Sequence, residues 1–197
     1  MTSSLGTESG YRRFVPPPPP RTPKSSATRK LLLDVAARLF IERGYSAVSM
    51  RDLAAAAGLT KGAVYGHFRS KGQLLVETIR WKIGERDHAP DFDEAVADPV
   101  TGVVLMYDES GRETRLLEVD AAAAARHDPD VASGLADLYR ERHERIRDAM
   151  AATRDPDTAA WLVAALTAGI GMKESTGLAR PADNQLHAAL LRLLNEL

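Results

Sequence analysis

Between Ser49 and Phe68 the sequence gathers hydroxyls, cations and small side chains at a spacing suited to holding a polyanion rather than to making or breaking bonds. Thr60 and Lys61 stand side by side, so a hydroxyl and an ammonium can donate together to base edges or phosphate oxygens. Gly62 and Ala63 leave a close approach unobstructed, Tyr65 and His67 carry further donors, and Ser49, Arg51 and Lys71 extend the set on either side. His67 is a possible acid or base by type, but no carboxylate or nucleophile pattern beside it completes an active site, so phosphate contact is the stronger reading. The chain has no cysteine, which excludes disulfides, thiolate zinc sites and cysteine nucleophiles. The metalloprotease motif H-E-x-x-H is also absent. No metal, no cofactor and no enzymatic activity are expected.

These side chains need short helices to present them. Leu31, Val35, Leu39 and Phe40 recur at helical spacing from Thr28 until Gly44, which predicts a first helix closed by glycine. Ser49 is an N-cap type placed to open a second helix, Met50 to Ala57, before a turn at Gly58. Thr60 caps a third through Phe68, and a fourth opens at Ser70 with Leu74, Leu75, Ile79 and Ile83 on it, ending before Pro90. The second and third form a helix-turn-helix, whose first helix spans a phosphate backbone while the second enters the major groove.

The stretch Ser49-Met-Arg-Asp-Leu-Ala-Ala-Ala-Ala-Gly58-Leu-Thr-Lys-Gly-Ala-Val-Tyr65-Gly-His-Phe68-Arg-Ser-Lys71-Gly-Gln-Leu-Leu75 resembles the DNA-binding signature of TetR-family transcriptional regulators. The resemblance runs upstream through Ala36, Leu39, Phe40, Gly44 and Tyr45, and covers about residues 28–80. It implies that Ser49, Arg51, Thr60, Lys61, Gly62, Tyr65, His67 and Lys71 occupy positions from which the family contacts double-stranded DNA. It also implies a homodimer on a palindromic operator. Gly66 departs from the pattern, because a larger side chain is usual there and glycine inside a helix costs about 1 kcal/mol relative to alanine.

Composition fits that architecture. Hydrophobic residues make up 44% but aromatics only 6%, with abundant Ala, Leu and Arg, so an all-α fold is expected. The net charge of -1 hides a split: 14 Lys and Arg against 5 Asp and Glu through Lys82, then 12 against 22. The first part suits a polyanion and the second does not. Residues 1–26, with five prolines at Pro16–Pro20, read as a disordered, basic, Pro-rich tail. Residues 27–73 form the expected three-helix helix-turn-helix domain, and 74–197 a larger helical domain for ligand binding and dimerisation. No signal-peptide pattern or membrane-length apolar run is present, so a cytoplasmic chain without a membrane partner is expected.

Further helices are expected at about 92–107, 112–126, 128–153, 156–176 and 182–196, about nine in all. The helix from Pro156 is apolar nearly all round, and Leu186, Leu190, Leu193 and Leu197 repeat at seam-like spacing beyond it, so residues 156–197 are the expected dimer interface. The resemblance places a small-molecule effector among the middle helices. Inward apolar positions accompanied by isolated polar groups nominate Met106, Tyr107, Leu116, Asp120, Tyr139, Trp161 and Met172, each of which also reads as ordinary core. Asp120, set among Leu116, Leu117, Val119 and Ala123, would need an arginine or a ligand amine if buried. The run Arg140, Glu141, Arg142, Glu144, Arg145 and Arg147 reads as a solvated helix face with internal ion pairs. Two other functions remain open at this point: a ligand-independent dimeric DNA-binding protein, and an all-helical enzyme using His127, His143 or scattered carboxylates.

Overall fold

The computed structural model describes residues 23–87 and 107–195. Among them are eight α-helices and no strand: α1 (Pro23–Arg43), α2 (Met50–Ala56), α3 (Lys61–Tyr65), α4 (Lys71–Asp87), α5 (Arg112–Ala124), α6 (Pro129–Ala149), α7 (Pro156–Ser175) and α8 (Asp183–Asn195). A 3-10 turn, Glu109–Gly111, leads into α5. The expected helix at 92–107, apart from Tyr107, and most of the Pro-rich tail lie outside the described residues.

Local chemistry explains the boundaries. α1 begins ahead of Thr28, with Pro23 in its first turn, where a missing N–H costs nothing. It stops where Gly44 turns to φ 77° and its N–H reaches back to the Phe40 carbonyl at 2.8 Å. Gly58, at φ 66°, makes the bend between α2 and α3. α6 and α7 each open with an Asp cap followed by proline: Asp128 accepts from the N–H groups of Asp130 and Val131, and Asp155 from that of Thr158. α3 is shorter than expected, because the helix ends at Tyr65 with Gly66 as its C-cap at φ -67°. Gly66 therefore sits at the end of the helix rather than inside it, and the cost of an interior glycine does not apply.

Two apolar cores hold the helices. The first joins Leu32, Phe40, Leu53, Val64 and Phe68 to Leu74, Leu75 and Ile79 of α4, and continues into Leu117, Val131 and Leu138 of α5 and α6. The second gathers Tyr107, Ile146, Met150, Ala160, Val163 and Leu190. α7 lies so tightly on α5 that a Cβ at Gly171 would stand 3.0 Å from the Arg115 carbonyl oxygen.

Buried ion pairs stitch the helices across these cores. Arg115 of α5 grips Glu174 of α7 with Nε–Oε2 at 2.8 Å and Nη2–Oε1 at 2.7 Å. Arg142 donates to Glu118 at 2.6 Å, with both side chains 5% exposed. This corrects the reading of Arg140–Arg147 as wholly solvated. Arg142 follows Val131, Leu135 and Leu138 on the buried face of α6, while Arg140 pairs outside with Asp137 and Glu141 with Arg80.

Candidate nucleic-acid interface

α2, the bend at Gly58 and α3 present one face built from short polar side chains. Ser49 and Asp52 form a capping box: the Ser49 hydroxyl accepts from the Asp52 N–H at 3.2 Å, and Asp52 Oδ2 accepts from the Ser49 N–H at 2.9 Å. The Ser49 hydroxyl also donates to Asp52 at 2.6 Å, and these bonds hold the Asp52 carboxyl below the usual carboxylate range. Thr60 caps α3 by accepting from the Ala63 N–H at 3.2 Å, leaving its own hydroxyl proton to donate outward. Leu53, Ala54 and Val64 point into the first core and fix the angle between the two short helices.

The outward face is cationic and open. Tyr65 is 45% exposed, and the Lys61 ammonium lies 5.7 Å from the centre of its ring. A recess of about 400 Å³ runs between the α1–α2 turn, the start of α2 and α3, and is walled by Ser49, Arg51, Lys61, Tyr65 and Lys71. Ser46 and Ala47, which the sequence reading passed over, also line it. Five of the eight expected contact residues thus converge on one recess. Thr60 and Gly62 lie exposed at the start of α3, and His67 is half-buried just beyond it, its ring 6.4 Å from that of Phe68.

Lys71 has a different job from the one the sequence suggests. Its ammonium donates to the carbonyls of Tyr45 and Val48, both at 2.9 Å, and sits 4.1 Å from the centre of the Tyr45 ring. Partial burial lowers its pKa. The lysine is a strut under the α1–α2 turn, and only its remaining proton is available to a phosphate.

The described residues nominated for a small molecule lie in different surroundings. Leu116 and Asp120 line a cleft of about 250 Å³ between α1 and α5, with Phe40 and Ile41 on its other side. Tyr107 is fully buried, its hydroxyl donating to the Val163 carbonyl at 2.7 Å, and burial pushes its pKa up to about 12. Tyr139 lies under the Arg142 guanidinium, 4.8 Å from ring centre to Cζ, and burial likewise raises it to about 12. Trp161 and Met172 are 65% and 63% exposed on the outer face of α7, because a helix apolar all round does not reveal which side faces inward. Met106 lies outside the described residues. Asp120 is half-buried, and its Oδ2 accepts from the Tyr45 N–H at 2.7 Å. No group of three metal-ligating side chains occurs among the described residues.

Comparison with known proteins agrees with this geometry. Residues 32–78 match the family described as bacterial regulatory proteins, tetR family. The HTH-type transcriptional repressor KstR2 of Rhodococcus jostii is 48% identical over 67 residues, covering 34% of this chain and 33% of that protein. The HTH-type transcriptional repressor Rv1474c of Mycobacterium tuberculosis is 32% identical over 130 residues, 66% of this chain and 64% of that one. The chain thus spans less than two thirds of the length of either relative. A TetR-family transcriptional regulator from Rhodococcus sp. superposes with a TM-score of 0.71 at 20% identity, covering 86% of this chain and 97% of its own, which is a likeness of fold.

Proposed function

The chain belongs to the tetR family of bacterial regulatory proteins, and from that premise we propose that it is a cytoplasmic, non-enzymatic transcriptional repressor that binds a palindromic operator as a homodimer and is released by a small molecule. The observation that carries this reading is the recess at α2 and α3, where Arg51, Lys61 and Tyr65 flank one opening on a helix-turn-helix. A groove-width helix offering cations and hydroxyls, with glycine at position 62, is what close approach to a phosphate-lined major groove requires.

The second half supports pairing. Trp161, Met172, Leu178 and Leu193 are large apolar side chains exposed on or near α7 and α8. A Cβ at Gly169 would meet nothing within 4 Å, which leaves room for a neighbouring helix. An apolar patch of this kind on a water-facing surface is stabilised by covering it, and a second copy does so with twofold symmetry. Two copies of α3 about 34 Å apart then address successive major grooves. No helix among the described residues is long and apolar enough to cross a membrane.

Release follows from population shift: a molecule favouring one relative placement of the two halves changes the spacing of the two α3 helices. The cleft holding Leu116 and Asp120 opens between them and is a place where such a molecule would act.

The reading is tested by selecting bound sequences from randomised duplex DNA and then measuring affinity for the selected site across a salt series. Lys61→Ala is expected to weaken binding and to lower the salt slope by about 1. Tyr65→Ala is expected to weaken binding at every salt concentration. Unchanged affinity in both variants, with the assembly intact by light scattering, would refute this interface. Metabolite screening for release of the selected duplex then addresses the effector.

A further inference from the structure

The turn between α1 and α2 is fastened to the second half of the chain at Tyr45. The Tyr45 N–H donates to Asp120 Oδ2 on α5 at 2.7 Å, and its hydroxyl donates to Asp128 Oδ2 at the entry to α6 at 2.8 Å. Its carbonyl accepts from Lys71 of α4 at 2.9 Å. All three polar groups of one residue are therefore spoken for by elements far away in sequence, and the ring, 6% exposed, rests against Phe40 with centroids 5.5 Å apart. Asp128 is shared. Its Oδ1 caps the first turn of α6 through the Asp130 and Val131 N–H groups while its Oδ2 holds the tyrosine. A shift of α6's first turn or of α5 is thus passed to a residue four positions before the Ser49 cap of α2.

We propose that Tyr45 is a positioning residue, a joint through which α5 and α6 set the angle at which α2 and α3 are offered to their target. The functional consequence rests on the DNA-binding reading above; the joint itself does not. Bonds to carboxylates are the stronger kind of hydrogen bond, and two of them act at one turn. Burial and the adjacent Asp128 push the phenol's pKa up, so the hydroxyl keeps its proton and remains a donor throughout the physiological range.

The chain has no cysteine of its own, so spin labels can be placed at will. Ala55→Cys on α2 and Ala136→Cys on α6 are exposed positions on the two sides of the joint. Electron-electron distance measurements on the full chain, diluted with unlabelled chain to remove distances between copies, read the angle directly and without DNA. Asp120→Ala and Tyr45→Phe are expected to widen or shift the distance distribution. Asp120→Asn, which keeps an acceptor for the Tyr45 N–H, is expected to restore it. In Asp120→Ala and Tyr45→Phe affinity for the selected duplex is expected to fall by about 3- to 10-fold, the loss of one hydrogen bond. Circular dichroism identifies any variant that fails to fold, and Tyr45→Phe, which preserves the buried ring, then decides. Distributions that overlay for wild type, Asp120→Ala and Tyr45→Phe overturn the joint whatever the DNA measurements give. A widened distribution in a chain that selects no duplex instead overturns the DNA reading and leaves the joint standing.

Discussion

Glu174→Gln is expected to be among the most damaging single substitutions away from the α2–α3 face. Arg115 and Glu174 are 2% and 3% exposed and share two parallel hydrogen bonds, so each buried charge faces its opposite. Neutralising the glutamate removes the opposite charge that faces the buried guanidinium, and Gly171, pressed on the Arg115 backbone, leaves the two helices little room to adjust. Arg180, whose Nε lies 3.9 Å from Glu174, adds a second cation to the same neighbourhood. Removing one partner of a buried pair costs about 3–5 kcal/mol. At about 2–4 °C per kcal/mol for a chain of this size, the melting temperature should fall by about 6–20 °C. Replacing both partners, Arg115→Met with Glu174→Leu, removes both desolvation penalties and should return stability to within about 1 kcal/mol of wild type. Urea and thermal unfolding followed by circular dichroism, at one fixed chain concentration, measure all the variants. A single substitution costing under about 1 kcal/mol, or a double variant as unstable as the sum of the two singles, would refute the claim that the pair holds α7 to α5 by mutual neutralisation.

Two more outcomes follow from the same coordinates. Ser49→Ala removes the α2 cap and should destabilise the chain by about 0.5–2 kcal/mol; because the Asp52 carboxyl is held below its usual value when folded, its share of the cap is present near neutrality and lost as the pH falls below about 4. Amide exchange at Asp52 and Leu53 reads both effects, and protection that is the same at pH 7 and pH 3 would contradict them. Trp161→Glu places a charge in the middle of the exposed apolar face of α7 and should shift a dimer to monomer in light scattering, whereas an unchanged mass would remove α7 from the interface.

What was legible in the sequence was whatever punctuation and periodicity announce. Gly44, Gly58 and the Asp-Pro pairs at 128–129 and 155–156 mark helix ends with residues chosen for backbone reasons, so α1, α2, α6 and α7 fall close to their expected places. The α3 face was readable because its exposed Lys61, Gly62 and Tyr65 are a combination that a buried helix would not carry. Facing was not readable where polarity and burial part company. Arg142 looks solvated in a run of charges, yet it falls in register with Val131, Leu135 and Leu138, a register that five charged neighbours obscure. α7 offers the opposite case, since being apolar on all sides erases the distinction between the Ala160 and Val163 face that is buried and the Trp161 face that is not.

The junction was invisible for a third reason: pairing between Tyr45 and two aspartates 75 and 83 residues away has no periodicity. Its consequence reaches the division of the chain at residue 73. Phe40, Leu53 and Phe68 share one core with Leu117, Val131 and Leu138, and the first turn of α4 holds Gly72, where a Cβ would stand 2.8 Å from Asp128. The boundary that sequence suggests is therefore a boundary of charge and motif, not of packing. Halves that share a core cannot swing freely on a linker, so a change of angle at α3 would require α1 and α4 to slide over α5 and α6. Such a slide leaves the apolar contacts nearly constant in area, whereas hydrogen bonds of 2.7 and 2.8 Å are either made or broken. The few directional bonds at Tyr45, rather than the larger apolar contact around them, are what can make two placements of the halves distinct.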